Sequence, residues 1–179
     1  MDFKLDGKKA IVTGGAKGLC NGMAQALHDA GAEVVLVDIL DIVEESAKKM
    51  NESGARVHFV KGDLSHEKNI NRIYEECLDK LGGRIHILLN GAGIQYRAPA
   101  VDFPADRWKK ILDVNLSAVF FMAQKVGKKN VGAGIWKDYK RGFHDSFLWK
   151  CTDSGLYCKQ GCCGTAYKGP FQRMGRTRH

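Results

Sequence analysis

The sequence predicts an α/β fold: an incomplete, doubly wound parallel sheet with about four strands and their helices within residues 1–129. Two observations lead to this prediction. Short apolar runs alternate along the chain with longer segments of helical spacing, as in a parallel sheet whose helices cover both faces. The runs are apolar at consecutive positions, which is typical of strands buried on both sides. No repeat of solenoid length is present.

Each predicted element has its own signal in the sequence. The strands are apolar runs at Lys9–Thr13, Glu33–Asp38, 56–60 and 85–89. The helices have apolar residues at helical spacing and are predicted over 18–30, over 42–53, from Ser65 to Leu81 and over 106–128. Gly31 and Gly54 follow the first two helices, and a glycine there commonly ends a helix. Ser65 is expected to cap the third helix.

The composition changes abruptly near Asn130. Residues 1–129 contain 19 Lys and Arg against 17 Asp and Glu, whereas residues 130–179 contain 9 against 3, with no Glu and four of the six cysteines. The net charge of +8 therefore belongs mainly to the last fifty residues and does not indicate nucleic-acid binding by the whole chain. We expect a folded domain over 1–129 and, over 130–179, a largely disordered tail without strand or helix periodicity.

Several classes of protein are disfavoured. No run approaches the ~18 consecutive apolar residues of a membrane span, and the N-terminus lacks the apolar core of a signal peptide, so a cytoplasmic protein is expected. The tail cysteines 151, 158, 162 and 163 lack the paired C-x2-C spacing of structural zinc sites. The basic and aromatic residues of the tail form no stacking motif for RNA. We predict no metal site, no nucleic-acid partner and no membrane partner.

A glycine-rich segment, TGGAKGLC over residues 13–20, lies between the first strand and the first helix. Glycines there let the backbone approach a dinucleotide pyrophosphate, and the helix N-terminus offers free N–H groups. Asp38 ends the second strand, where a carboxylate can accept hydrogen bonds from a ribose 2′-OH and repel a 2′-phosphate, which favours NAD over NADP. The alternative is that Asp38 only starts a turn or caps the next helix.

Four ordered signals resemble the short-chain dehydrogenase/reductase family. The phosphate loop of that family is T-G-x-x-x-G-x-G, and Cys20 stands here in place of its last glycine. Asn90-Gly91-Ala92-Gly93 resembles N-N-A-G, with Gly91 as the one departure. Gly62-Asp63-Leu64 and Asp113-Val-Asn115-Leu match the remaining two signals. Within the family, residues 90–95 and 119–124 together with Trp108 are similar to gluconate 5-dehydrogenase and related sugar-acid dehydrogenases.

The resemblance implies a Rossmann-type fold, an NAD cofactor and hydride transfer to or from a small hydroxy or keto substrate, such as a sugar acid. It also implies a homo-oligomer, although elements that form such contacts are partly missing here. Its implied cofactor-binding residues are Thr13, Gly14, Gly15, Lys17, Gly18, Leu19, Asp38, Asp63, Leu64, Asn90, Gly91, Ala92 and Gly93. Asn115 is its implied catalytic residue. Structural alternatives remain open: Asp63 as a helix cap, Asn90 as a tie between strands, and Asn115 as a satisfied buried amide.

The rest of the family's catalytic set is missing. The family uses a Tyr as general base, a Lys four residues later that lowers the Tyr pKa, and a Ser that positions the substrate oxygen. No Tyr in this chain is followed by Lys four residues later. A fifth strand is also not predicted, so we expect the fourth strand to have an open edge prone to aggregation. The chain as written is expected to be inactive; the alternative is a genuine non-catalytic protein that binds a dinucleotide or a partner.

A shift of the reading frame would account for the tail. Read one base later, the codons of residues 136–144 permit G-K-I-I-N-V-A-S-M, which resembles the family's fifth strand and its Ser. Residues 154–161 permit P-A-Y-T-A-S-K, which contains the missing Tyr-x-x-x-Lys, and residues 170–175 permit L-S-N-E-W-A. The codons of Lys128-Lys129-Asn130 can form a run of adenines, where one base is easily gained. We therefore predict a frameshift near Asn130.

Overall fold

A computed structural model describes residues 4–53, 56–130, 137–139, 147–152 and 155–160. Its main sheet is parallel and contains, in chain order, β1 (Lys9–Thr13), β2 (Glu33–Asp38), β3 (Val57–Lys61), β4 (Ile87–Asn90) and β5 (Lys137–Tyr139). The spatial order is β3-β2-β1-β4-β5, so the chain first builds outward from β1 and then crosses to its other side. The predicted α/β class and Rossmann-type parallel sheet are confirmed.

The helices flank this sheet. They are α1 (Gly18–Asp29), α2 (Ile42–Met50), α3 (Glu67–Lys80), α4 (Ala105–Leu112) and α5 (Ala118–Asn130). Gly31 follows α1 with φ of 96°, and its N–H donates to the carbonyl of His28, so the predicted glycine stop is correct. Gly54 lies outside the described residues.

Alternate residues of β1 to β4 enter two separate cores, one on each face of the sheet. Ile11, Val35 and Leu88 pack into the core formed with α3 and α5. Val12 and Leu36 pack into the core formed with α1 and α2. All five side chains are fully buried, and burying a residue of this size contributes about 1.5–3 kcal/mol each. Because both faces are covered, the strands need apolar residues at every position, which explains the uninterrupted runs.

Two predicted helical features are wrong. The long helix expected over 106–128 is interrupted by a π-helical turn, Asp113–Ser117, between α4 and α5. Ser65 does not cap α3: the N-cap is His66, which makes no side-chain capping bond, and Ser65 instead donates its backbone N–H to Asp63 Oδ1 at 2.8 Å. The Asx turn after β3 therefore ends before the helix begins.

Regular structure also continues beyond residue 130, where no strand was predicted. β5 pairs in parallel with β4 through Ile87, Leu88 and Leu89, so the expected open edge of β4 is wrong over those residues. β6 (Phe147–Thr152) and β7 (Gly155–Gln160) form a separate antiparallel pair. Strand pairing uses backbone N–H and C=O groups, which every sequence carries, and so a short strand needs no apolar periodicity.

Candidate functional site

The glycine loop after β1 is packed directly against the loop after β4. Gly14 has φ of 71°, and a Cβ there would lie 2.9 Å from the Cα and N atoms of Ala92. The N–H groups of Gly14 and Gly15 both donate to the carbonyl of Val37, at 2.8 and 3.2 Å. Position 14 therefore requires glycine for its backbone angle and for the close approach of the second loop.

The N-terminus of α1 opens onto free space. Gly18 begins the helix with φ of 66°, and nothing lies within 4 Å of a Cβ built on it. The N-cap residue, Lys17, makes no side-chain capping bond, and Leu19 is 53% exposed. The N–H groups of a first helical turn have no intrahelical acceptors, and the helix dipole favours an anion beside them. The residues present therefore fit a dinucleotide pyrophosphate.

Asp38 holds its carboxylate beside the glycine loop. Its Oδ2 accepts the Ala16 N–H at 3.0 Å, and its Oδ1 accepts the Leu40 N–H at 3.1 Å. The second of these bonds belongs to the turn that follows β2, as the interpretation of Asp38 as a turn residue predicts. The first bond fixes the acidic group at the loop that would hold the pyrophosphate, where an adenosine ribose can reach it.

Thr13 connects the two loops by hydrogen bonds. Its side chain is buried at the end of β1, and Oγ1 accepts the N–H of Gly91 at 3.0 Å and that of Ala92 at 3.1 Å. The hydroxyl donates in turn to the carbonyl of Leu89 at 3.4 Å. Thr13 therefore sets the position of the second loop relative to the first.

Asp63 and Leu64 follow β3 at the same edge of the sheet. Leu64 is buried in the core on the α3 side, whereas Asp63 stays accessible. Partial burial opposes ionisation of Asp63, but the hydrogen bonds from Ser65 and the charges of Lys110 and His66 outweigh it and lower the pKa of the carboxyl. Asp63 is therefore an ionised acceptor at neutral pH. It does not cap α3.

Asn115 lies on the π-helical turn and pairs with the segment after β4. Its Oδ1 accepts the Ile94 N–H at 2.9 Å and its Nδ2 donates to the Ile94 carbonyl at 2.8 Å. A Cβ on Gly93 would lie 3.4 Å from the same Oδ1. Asn115 is exposed, so the alternative of a buried amide is wrong, although its Oδ1 and its Nδ2 each make a hydrogen bond. π-Turns of this kind are frequent at functional sites.

Asn90, the last residue of β4, has a buried side-chain amide with a donor that is unpaired among the described residues. The residue is 5% exposed, and its Nδ2 has no hydrogen-bond partner within the described structure. The structural alternative for Asn90 was a side-chain hydrogen bond to a neighbouring strand. Within the described residues, Nδ2 donates no such bond. A buried amide donor without an acceptor costs about 1–3 kcal/mol.

Three residues at the site were not predicted. Asn21 Nδ2 donates to the Gly15 carbonyl at 2.9 Å, and Ser46 Oγ donates to the Ala16 carbonyl at 2.7 Å, so α1 and α2 both brace the glycine loop. Cys20 Sγ contacts the carbonyl of Gly91 at 3.6 Å. Only Cys20 carried a signal in the sequence, as a departure from the glycine pattern.

The family of the chain follows from this arrangement and from one comparison. The model of the short chain dehydrogenase family matches residues 8–134, which include the glycine loop, Asp38, Asp63, the segment after β4 and Asn115. The chain belongs to the short-chain dehydrogenase family. Members of this family bind a nicotinamide dinucleotide, and the site described above is placed where a Rossmann-type sheet binds one.

This short-chain dehydrogenase resembles enzymes with polyhydroxylated substrates in their names. It is 35% identical to an NAD-dependent glycerol dehydrogenase of Listeria innocua over 133 residues, 74% of this chain and 51% of that protein. It is 37% identical to a galactitol 2-dehydrogenase of Rhizobium johnstonii over 169 residues, 92% of this chain and 61% of that protein. The second alignment extends beyond Asn130. The chain thus spans about half to three fifths of the length of these relatives.

A solved structure supports the expected likeness to sugar-acid dehydrogenases. It is a putative NAD(P) dependent gluconate 5-dehydrogenase from Beutenbergia cavernae with bound NADP at low occupancy. The two chains are 30% identical with a TM-score of 0.72, over 78% of this short-chain dehydrogenase and 55% of the other chain. Among the described residues, no helix is long and apolar enough to cross a membrane, and no cluster of His, Cys, Asp and Glu could hold a metal ion.

Proposed function

We propose that this chain binds NAD(H) at the edge formed by the glycine loop, Asp38, Asp63 and the segment after β4. The observation that carries the proposal is the hydrogen bond from the Ala16 N–H to Asp38 Oδ2, at 3.0 Å. That bond holds an acidic group beside the N-terminus of α1. A carboxylate in this position accepts hydrogen bonds from a ribose 2′-OH and repels the 2′-phosphate of NADP.

We further propose that the ancestral reaction is oxidation of a secondary alcohol or reduction of a ketone, on a small polyhydroxylated substrate such as a sugar acid. The names of the relatives support this substrate class. When bound, the dinucleotide supplies or accepts the hydride. The chain's own residues bind and orient the dinucleotide. Asn115 holds the segment around Ile94, because its side-chain Oδ1 and Nδ2 bond the backbone N–H and C=O of Ile94.

The chain as written is proposed to be inactive because of a frameshift near Asn130. No Tyr of the sequence is followed by Lys four residues later, so the base and its partner are missing. The alternative is a genuine non-catalytic protein that binds a dinucleotide. It would use the same dinucleotide site and therefore predicts the same NAD(H) binding.

Titration calorimetry of the purified chain with NAD⁺ and NADP⁺ tests the binding proposal. We expect saturable binding of NAD⁺ and weaker binding of NADP⁺. Asp38→Ser should reduce that preference by about tenfold or more, because it removes one charge repulsion with the 2′-phosphate and one hydrogen bond to the ribose. Asp41→Ser is the matched control, since Asp41 lies three residues later, is exposed, and pairs with Lys61.

Two results would contradict the proposal. Tighter binding of NADP⁺ than of NAD⁺ would remove the assigned role of Asp38. Equal weakening of both dinucleotides by Asp38→Ser would show that the carboxylate only supports the loop through Ala16. Separately, formation of NADH from a panel of hydroxy acids would contradict the proposed inactivity.

A further inference from the structure

Two departures from the family patterns lie in direct contact. Cys20 stands where the glycine loop pattern has its last glycine, and Gly91 stands where the segment after β4 has a second asparagine. They are separated by 71 positions in the chain, yet Cys20 Sγ lies 3.6 Å from the Gly91 carbonyl oxygen. One position has gained a side chain, and the position facing it has lost one.

The thiol of Cys20 occupies the space that a side chain on residue 91 would enter. A Cβ built on Gly91 would overlap Cys20 Sγ, far inside van der Waals contact. It would also lie 2.9 Å from the Thr13 carbonyl oxygen and 3.2 Å from Leu89 Cδ2. The thiol is enclosed on the α1 side by the core on that face of the sheet, and Cys20 is 9% exposed. An added group at position 91 would therefore push the thiol toward that core.

We propose that Cys20 is a positioning residue of the dinucleotide site and that Gly91 is its obligatory partner. The thiol fills the space in front of Gly91 and holds the first turn of α1 against the segment after β4. This inference rests on the proposed function, because the two elements it joins are the ones that would bind the pyrophosphate and the nicotinamide half of the cofactor. Cys20 therefore preserves the shape of the site instead of blocking it.

The chemistry of the thiol agrees with a structural contact. Burial, and then the negative charge of Asp38, raise the pKa of the Cys20 thiol above its usual range. It stays protonated at neutral pH, so the S–H can donate to the Gly91 carbonyl, and it is a poor nucleophile. No redox step is needed for the role described here.

Single and double substitutions in the full chain test the proposal, with the melting midpoint and the NAD⁺ dissociation constant as readouts. Gly91→Ala should lower the melting midpoint and weaken NAD⁺ binding by about tenfold or more, because its methyl group overlaps the thiol. Cys20→Ala removes only the Sγ atom, so Cys20→Ala/Gly91→Ala should recover most of both losses. The remaining loss comes from the approach to the Thr13 carbonyl.

Two further variants separate positioning from general stability. Gly22→Ala is the matched glycine control, because nothing lies within 4 Å of a Cβ at that position in α1; it should leave NAD⁺ binding unchanged. Cys20→Ser keeps a donor of similar shape, so it should bind NAD⁺ more tightly than Cys20→Ala at a temperature where both are folded. If Gly91→Ala does not fold, the return of a cooperative melt in the double variant is the expected result.

The outcomes distinguish this proposal from the proposed function. Additive effects of the two substitutions, in a chain that binds NAD⁺, would overturn the pairing of Cys20 with Gly91 and leave the dinucleotide site intact. A double variant as defective as Gly91→Ala would do the same. A wild-type chain that binds neither dinucleotide would overturn the proposed function and the positioning role together, even if the melting midpoints were coupled.

Discussion

At the scale of single residues, the site depends on one buried hydroxyl. Thr13 accepts the N–H groups of Gly91 and Ala92 and donates to Leu89, so one side chain satisfies three backbone groups at the end of the sheet. The sequence predicts Thr13 as part of a cofactor loop, but it gives no sign that its partners lie 76–79 positions later. Contacts across that separation depend on the order of strands, which local patterns do not encode.

Replacing Thr13 by Val should destabilise the chain by about 2–6 kcal/mol, because it leaves two N–H groups without an acceptor at about 1–3 kcal/mol each. Thr13→Ser keeps the hydroxyl and should lose only the packing of one methyl group, about 1 kcal/mol. Urea unfolding followed by circular dichroism measures both. A Thr13→Val variant as stable as the wild type, with Thr13→Ser as the destabilised one, would show that the methyl group, and not the hydrogen bonds, holds the loops together.

At the scale of elements, the strands were predicted more accurately than the helix ends. β1 and β2 begin and end at the predicted residues, because buried parallel strands are apolar throughout and are bounded by polar or glycine residues. The start of α3 was misplaced because Ser65 donates its backbone N–H to Asp63 and does not cap the helix, which begins at Glu67. The π-helical turn after α4 was missed because its hydrophobic spacing differs from that of an α-helix by only one residue per turn.

The π-helical turn places Asn115 so that its amide pairs with both backbone groups of Ile94. Asn115→Ala should therefore increase the hydrogen-exchange rate of the Ile94 amide by about 2–10-fold, the range for losing one hydrogen bond of ~0.5–1.5 kcal/mol. Exchange measured by mass spectrometry on peptides covering residues 91–96 tests this. Ser117→Ala, on the same turn, is the control. An unchanged rate in Asn115→Ala would mean that the fold of this segment, not the amide, protects Ile94.

At the scale of the whole molecule, the main sheet combines four strands that the sequence predicts, β1 to β4, with a fifth strand, β5, that it does not. The four strands and five α-helices described up to residue 130 bury two cores. The apolar runs of the sequence predict the four strands and their burial on both faces, but neither the order of the strands nor the break between α4 and α5. β5 pairs with β4 over only three residues, from Ile87 to Leu89. Local patterns predict β1 to β4 because burial on both faces demands apolar residues, whereas β5 lacks that pattern.

The frameshift proposal makes the last prediction at this scale. Sequencing codons 124–142 on both strands of the gene should show the adenine run at Lys128-Lys129-Asn130 to be one base shorter than this translation requires. A chain expressed in the corrected frame should then form NADH from hydroxy acids, because the shifted codons restore a Ser and a Tyr-x-x-x-Lys in the family's order. General acid–base catalysis contributes about 10²–10⁴-fold in rate, so the chain as written should be slower by at least that factor. A gene that retains the extra base, together with NADH formation by the chain as written, would show that the last fifty residues are native and that catalysis uses other groups.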